Sequence, residues 1–144
     1  MAGTAATREN LGYLLAKASQ RWNELLYAEF VRAGFPEVRP AYGSVLLPLF
    51  EEDGLRMGEL AARARLSKQT MTTLVRLMER NGLVGRERDP ADGRAYLVSL
   101  TDRSRAFRAV AERVLPRLDG RVADRLSATD RAILTHSLKE VMSL

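Results

Sequence analysis

The chain has 144 residues, of which 46% are apolar and 28% charged, with a formal net charge of +5. That is the balance of an ordinary globular chain, one domain or one domain with a helical appendage. It has no cysteine, which excludes disulfides, cysteine-ligated zinc and thiol redox sensing, and no apolar run or basic-then-apolar leader suited to a bilayer or to secretion. A cytoplasmic protein with no membrane partner is therefore expected.

In chain order, residues 1–6 are small and polar and are expected to be mobile. Thr7 is read as the cap of a long helix reaching about Arg32. Its apolar stripe is Leu11, Leu14, Leu15, Ala18, Trp22, Leu25, Leu26 and Phe30 at helical spacing, and Gly34 and Pro36 end it. A second helix is predicted from about Pro40 to Phe50, with a bend or early end at Pro48, which lacks an N–H. Glu51 to Gly54 reads as a linker. Met57 to Ala64 is a short helix with Leu60, Ala61 and Ala64 on one side, and Arg65-Leu66 turns the chain. Ser67 caps a further helix, which Asn81-Gly82 ends, and Met71, Leu74, Val75 and Met78 form its buried stripe.

Two strands follow, Leu83 to Arg88 and Ala95 to Leu100, the second with Tyr96, Val98 and Leu100 alternating on one face. The turn-rich loop Asp89-Pro-Ala-Asp-Gly-Arg94 joins them. Thr101 then caps a long helix whose stripe runs through Phe107, Val110, Ala111, Val114, Leu118, Val122 and Leu126, with a kink expected near Glu112 and Arg113 because of Pro116. Ser127 starts the last helix, about Thr129 to Met142, with Ile133, Leu134, Leu138, Val141 and Met142 apolar.

Helix, turn, helix and β-hairpin in that order make a winged helix, in a fold of mainly α, α+β class. The free face of the second of those helices carries Lys68, Gln69, Thr72, Thr73, Arg76 and Arg80 and no acid. Short polar groups near a helix N-terminus suit base edges, and basic groups suit phosphates. Residues 55–105 hold eleven basic and six acidic side chains, while the rest of the chain holds twelve of each, so the whole positive excess lies in this segment. Double-stranded DNA is the expected partner. The candidate contacts are Ser67, Lys68, Gln69, Thr70, Thr72, Thr73 and Arg76 on the helix, with Arg88, Asp92 and Arg94 on the wing. Asp92 is read as a brace pairing with Arg88 or Arg94.

The wing sequence Asp89-Pro-Ala-Asp-Gly-Arg94, followed by Leu100-Thr101-Asp102, resembles the MarR family of bacterial transcription regulators. The resemblance covers almost the whole chain. One position departs from it: the inter-helix turn often holds Gly in that family, and Arg65 stands there, where a positive φ carries a modest strain. The three amphipathic helices outside the winged helix carry more apolar stripe than one small core covers. A two-fold homodimer is the economical answer, and the resemblance implies the same. Residues 1–34 and 102–144 form the dimerisation region in this reading, and residues 37–101 the winged helix-turn-helix. Two recognition helices ~34–36 Å apart would read an inverted repeat. The resemblance further implies a cleft between the dimer helices and the winged helix for small aromatic or phenolic effectors. Tyr13, Trp22, Tyr27, Tyr42 and Phe50 lie around the first two helices; most are expected in the core and some in the lining of this cleft, and the sequence does not assign which.

No phosphate loop, metal-ligand cluster or nucleophile elbow is present, so neither catalysis nor a cofactor is expected. His136 on the last helix reads as a surface or core-edge residue, and Glu51 to Asp53 as a solvated linker. The alternative from another class is a winged-helix module that binds protein rather than DNA, against which the acid-free helix face argues.

Overall fold

The structure is a computed structural model that describes residues 6–144, so most of the expectation for residues 1–6 lies outside the described residues. Helix α1 (Leu11–Arg32) is capped by Asn10, whose side chain accepts the N–H groups of Gly12 and Tyr13. Thr7, the expected cap, lies one turn too early; its carbonyl accepts the Asn10 N–H at 3.0 Å. A 3₁₀ turn (Pro40–Tyr42) leads into α2 (Gly43–Glu51). Pro48 neither stops nor shortens α2, which continues three residues beyond it. Proline forfeits its own hydrogen bond, and burial of Val45, Leu46 and Leu49 at 1% exposure or less holds the helix in place.

Strand β1 (Leu55–Arg56) follows, then α3 (Met57–Ala64) and α4 (Lys68–Arg80). Three helices end in the same way. After α1, α3 and α4, one residue turns left-handed and the next N–H reaches back to close the end: Phe35 to Phe30 O at 2.9 Å, Leu66 to Ala61 O at 3.0 Å, and Leu83 to Met78 O at 2.9 Å. The left-handed residues are Gly34, Arg65 and Gly82, with φ of +89°, +55° and +74°. Arg65 thus takes a conformation that costs a non-glycine residue about 1–2 kcal/mol, as the departure at that turn implied.

Strands β2 (Val84–Asp89) and β3 (Asp92–Leu100) form the wing, and the antiparallel sheet has the order β1-β3-β2. Strand β1 was not expected from the sequence: a two-residue strand has no periodicity to read, and only its pairing with Leu97 and Val98 defines it. Asp53 ties the preceding segment to the sheet by accepting the Leu100 N–H at 2.8 Å. The regular β2–β3 ladder runs from Val84↔Leu100 to Arg88↔Tyr96. The next pair is Asp89↔Asp92, so residues 93–95 bulge from β3 without partners on β2. Val98 and Leu100 are buried, while Tyr96 is 47% exposed because the wing outruns the core at that point.

The winged-helix core closes over Leu46, Leu55, Leu60, Met71, Met78 and Leu83, each under 2% exposed. Helix α5 (Asp102–Ala123) starts at a capping box between Thr101 and Ser104 and runs through Pro116 as one helix. It packs on α1, with Phe30 and Phe107 edge to face at 4.7 Å and Arg117 3.1 Å from Glu29. Helix α6 (Ala128–Met142), capped by Ser127, buries no residue at all. Its Ile133, Leu134, Leu138, Val141 and Met142 are exposed, as are Leu11 and Leu14 of α1. Among the described residues, no helix is long and apolar enough to cross a membrane.

Candidate nucleic-acid interface

Helix α4 is held from behind by Met71, Val75 and Met78, which leaves its opposite face free. Ser67, Lys68, Gln69, Thr70, Thr73 and Arg76 are exposed there, and Thr72 is half-buried. Their hydrogen bonding separates them. Ser67 Oγ accepts the Thr70 N–H at 3.0 Å and donates to Thr70 Oγ1 at 2.8 Å, so it serves first as the cap. Thr72 and Thr73 donate their hydroxyl protons to the carbonyls of Lys68 and Gln69, at 2.8 and 3.1 Å. The threonines therefore present methyl groups and oxygen lone pairs, chemistry suited to the thymine methyl and the amino groups of bases. Thr70 Oγ1 accepts from Ser67 and keeps its own proton, so the donors left on this face are Lys68, Gln69, Thr70 and Arg76. The only acid of this helix, Glu79, is half-buried and held by Arg86 at 3.0 Å.

On the wing, Arg94 lies within the bulge, and its side chain is 96% exposed. Asp92 braces it mainly through the backbone: Oδ1 accepts the Arg94 N–H at 3.1 Å, and the ion pair between the side chains is a loose 3.7 Å. Arg88 does not pair with Asp92. It donates to Gly93 O at 2.8 Å and lies 5.7 Å from the Tyr96 ring, so it props the bulge from the other strand.

The strongest brace involves two residues that the sequence reading passed over. Asp89 Oδ2 accepts from Arg56 Nε at 2.9 Å and from Nη2 at 2.5 Å, while Asp89 Oδ1 accepts the Ala91 N–H at 2.9 Å. One carboxylate thus closes the wing turn and ties it to the start of α3. The Ala91 N–H and the Arg56 guanidinium together hold the Asp89 carboxyl below the usual carboxylate range. Asp89 stood in the motif without a role, and nothing local connects it to a residue 33 positions earlier.

A cavity of about 270 Å³ lies between α1, the 3₁₀ turn, α2 and α5. Trp22 and Phe30, Arg39 and Pro40, Phe50 and Phe107 are among its walls. Of the aromatic residues considered from sequence, Trp22 and Phe50 reach it. Tyr42 is in the core, as expected for most of them. Tyr27 donates to Pro36 O at 2.7 Å beneath the Arg39 guanidinium, and Tyr13 sits on the exposed flank of α1. His136 is exposed on α6. In the segment after α2, Glu52 pairs with Arg63 at 2.6 Å.

A helix-turn-helix with a braced basic wing defines the class, a winged-helix DNA-binding protein. The sequence model of the MarR family matches residues 40–95. The HTH-type transcriptional repressor Rv2887 of Mycobacterium tuberculosis is 35% identical over 95 residues, 66% of this chain and 68% of that protein. Among solved structures, the transcriptional repressor CouR bound to a 23-mer DNA duplex matches with a TM-score of 0.77 at 27% identity, over 99% of both chains. The Rv2887 protein in complex with salicylic acid matches with a TM-score of 0.63 at 30% identity, over 94% of this chain and 98% of that one. The chain belongs to the MarR family and is a transcription regulator.

Proposed function

We propose that this regulator is a cytoplasmic, non-catalytic homodimeric repressor that binds an inverted-repeat operator and is released when a small aromatic ligand enters the cavity beside Trp22. The observation that carries the DNA-binding part is the free, acid-free face of α4 set beside a wing whose Arg94 points into solvent. Lys68, Gln69 and Arg76 read the major groove, Thr72 and Thr73 supply apolar and acceptor contacts, Thr70 keeps a hydroxyl proton to donate, and Arg94 enters the minor groove. Ser67 fixes the start of α4, and Arg88 and Asp92 hold the wing. A mobility-shift assay on the DNA upstream of the regulator's own gene tests the reading. A retarded band competed by the same DNA and not by random duplex is expected; equal competition by random duplex would refute it.

Gln69→Ala or Arg76→Ala is expected to cost about 1–3 kcal/mol on the operator and to relax base preference at one position in each half-site. Competition binding against single-base operator variants measures this. An equal loss on operator and random DNA would reassign both residues to phosphates.

Residues 1–34 and 102–144 act as the dimerisation region in this reading, with residues 37–101 as the DNA-binding unit. The apolar face of α6, exposed in the single chain together with Leu11 and Leu14 of α1, supports it. Ile133→Glu is expected to convert a species of twice the chain mass into monomer in sedimentation velocity, and to weaken operator binding with it.

A further inference from the structure

The 3₁₀ turn Pro40–Tyr42 joins two parts of the molecule that the proposed function requires to communicate. Pro40 and Gly43 help to line the cavity beside Trp22. Tyr42, between them, is 3% exposed and belongs to the core. Its hydroxyl oxygen accepts a 2.8 Å hydrogen bond from Nδ2 of Asn81, 39 residues away. Asn81 is the C-cap of α4, and Gly82 after it makes the left-handed turn that closes the helix. The turn that walls the cavity therefore carries a core side chain bonded to the end of the recognition helix.

We propose that the Tyr42–Asn81 hydrogen bond is the positioning contact by which the occupied or empty state of the cavity sets the recognition helix. The inference rests on the effector reading of that cavity. Pro40 has a fixed φ and a 3₁₀ turn has little slack, so displacement of the wall is carried to Tyr42 rather than absorbed. Ligand and DNA are coupled only through a difference in affinity between two placements of α4. A hydrogen bond at the helix terminus, made to a group that moves with the cavity wall, supplies such a difference. The bland role for this bond is an anchor for the end of α4, which would lower operator affinity by the same factor with and without ligand.

Tyr42→Phe keeps the buried ring and removes only the hydroxyl, so it separates these roles. Salicylate, the acid bound in the mycobacterial relative's structure, is the probe. Trp22 is the sole tryptophan and lines the cavity, so its fluorescence reports occupancy without DNA. Labelled upstream duplex reports operator affinity with and without saturating salicylate. In the wild-type protein the two operator affinities are expected to differ about fivefold or more. In Tyr42→Phe, and in Asn81→Ala, salicylate still changes Trp22 fluorescence, the duplex still binds, and the ratio falls toward one. A wild-type ratio in Tyr42→Phe would overturn the proposal. Wild-type Trp22 fluorescence indifferent to salicylate would instead count against the effector reading. A second arm needs no ligand: Leu115→Phe crowds the cavity from α5, and its effect on operator affinity is expected to vanish in the Tyr42→Phe background. An unchanged effect would overturn the proposal even if salicylate does not bind.

Discussion

Arg94→Ala is expected to weaken operator binding about thirtyfold or more and to leave the unfolding temperature unchanged. A lost groove contact costs about 1–3 kcal/mol, and a dimer loses two of them. The side chain is 96% exposed and lies in a bulge outside the ladder, so its removal takes nothing from the core. A narrow minor groove concentrates negative potential and favours an extended guanidinium on a projecting strand. The slope of log K against log salt is expected to flatten by about two units per dimer, one for each wing. Anisotropy titrations at several salt concentrations, beside a thermal melt, measure all of this. An unchanged slope would place Arg94 away from the DNA.

Asp89→Ala is expected to weaken operator binding about tenfold, although it removes a negative charge from a surface that meets phosphates. The ceiling on this effect is that of Arg94→Ala, because the brace acts through the wing. The Asp89 carboxylate satisfies the Ala91 N–H and two Arg56 donors at once, and its loss frees the turn beneath Arg94. Asp89→Asn retains an acceptor for Ala91 and is expected to lose less. Hydrogen exchange at the Ala91 amide distinguishes loosening of the wing from loss of a contact. The pH dependence has a definite sign. A carboxyl held below its ordinary value of 3.8 contributes stability that is fully present above that value and is lost as pH falls through the lowered one. The wing's brace is thus intact at neutral pH, and Asp89→Asn removes part of its acid sensitivity. Tighter operator binding by Asp89→Ala would mean that simple repulsion governs this residue.

The helices and their caps at Ser67, Thr101 and Ser127 were legible because each is decided within one turn of chain, by stripe spacing and a side-chain oxygen three residues from an orphan N–H. The same locality explains the miss at the first helix. Thr7 and Asn10 are both cap residues, and only the placement of Leu11 and the residues after it selects Asn10. The positive φ at Arg65 was raised only by the resemblance, whose members often hold Gly at that turn, and the exposed polar face of α4 was legible from its period. Thr72 and Thr73, read from the sequence as polar groups for base edges, spend their hydroxyl protons on the helix backbone.

Composition, apolar period and the wing motif by themselves determined a basic winged helix flanked by long amphipathic helices, since each of these is a property of neighbours along the chain. Partner choice across long separations was decided by tertiary structure alone. Leu55–Arg56 becomes a strand only because Leu97 and Val98 arrive beside it. Arg56 meets Asp89 rather than any other acid because β1 delivers it beneath the wing turn. Tyr42 belongs to the core, with its hydroxyl on Asn81, because α2 and the end of α4 converge there. Such contacts leave no period or motif in the chain, because the residues that make them lie far apart in sequence and are brought together only by burial of the shared core.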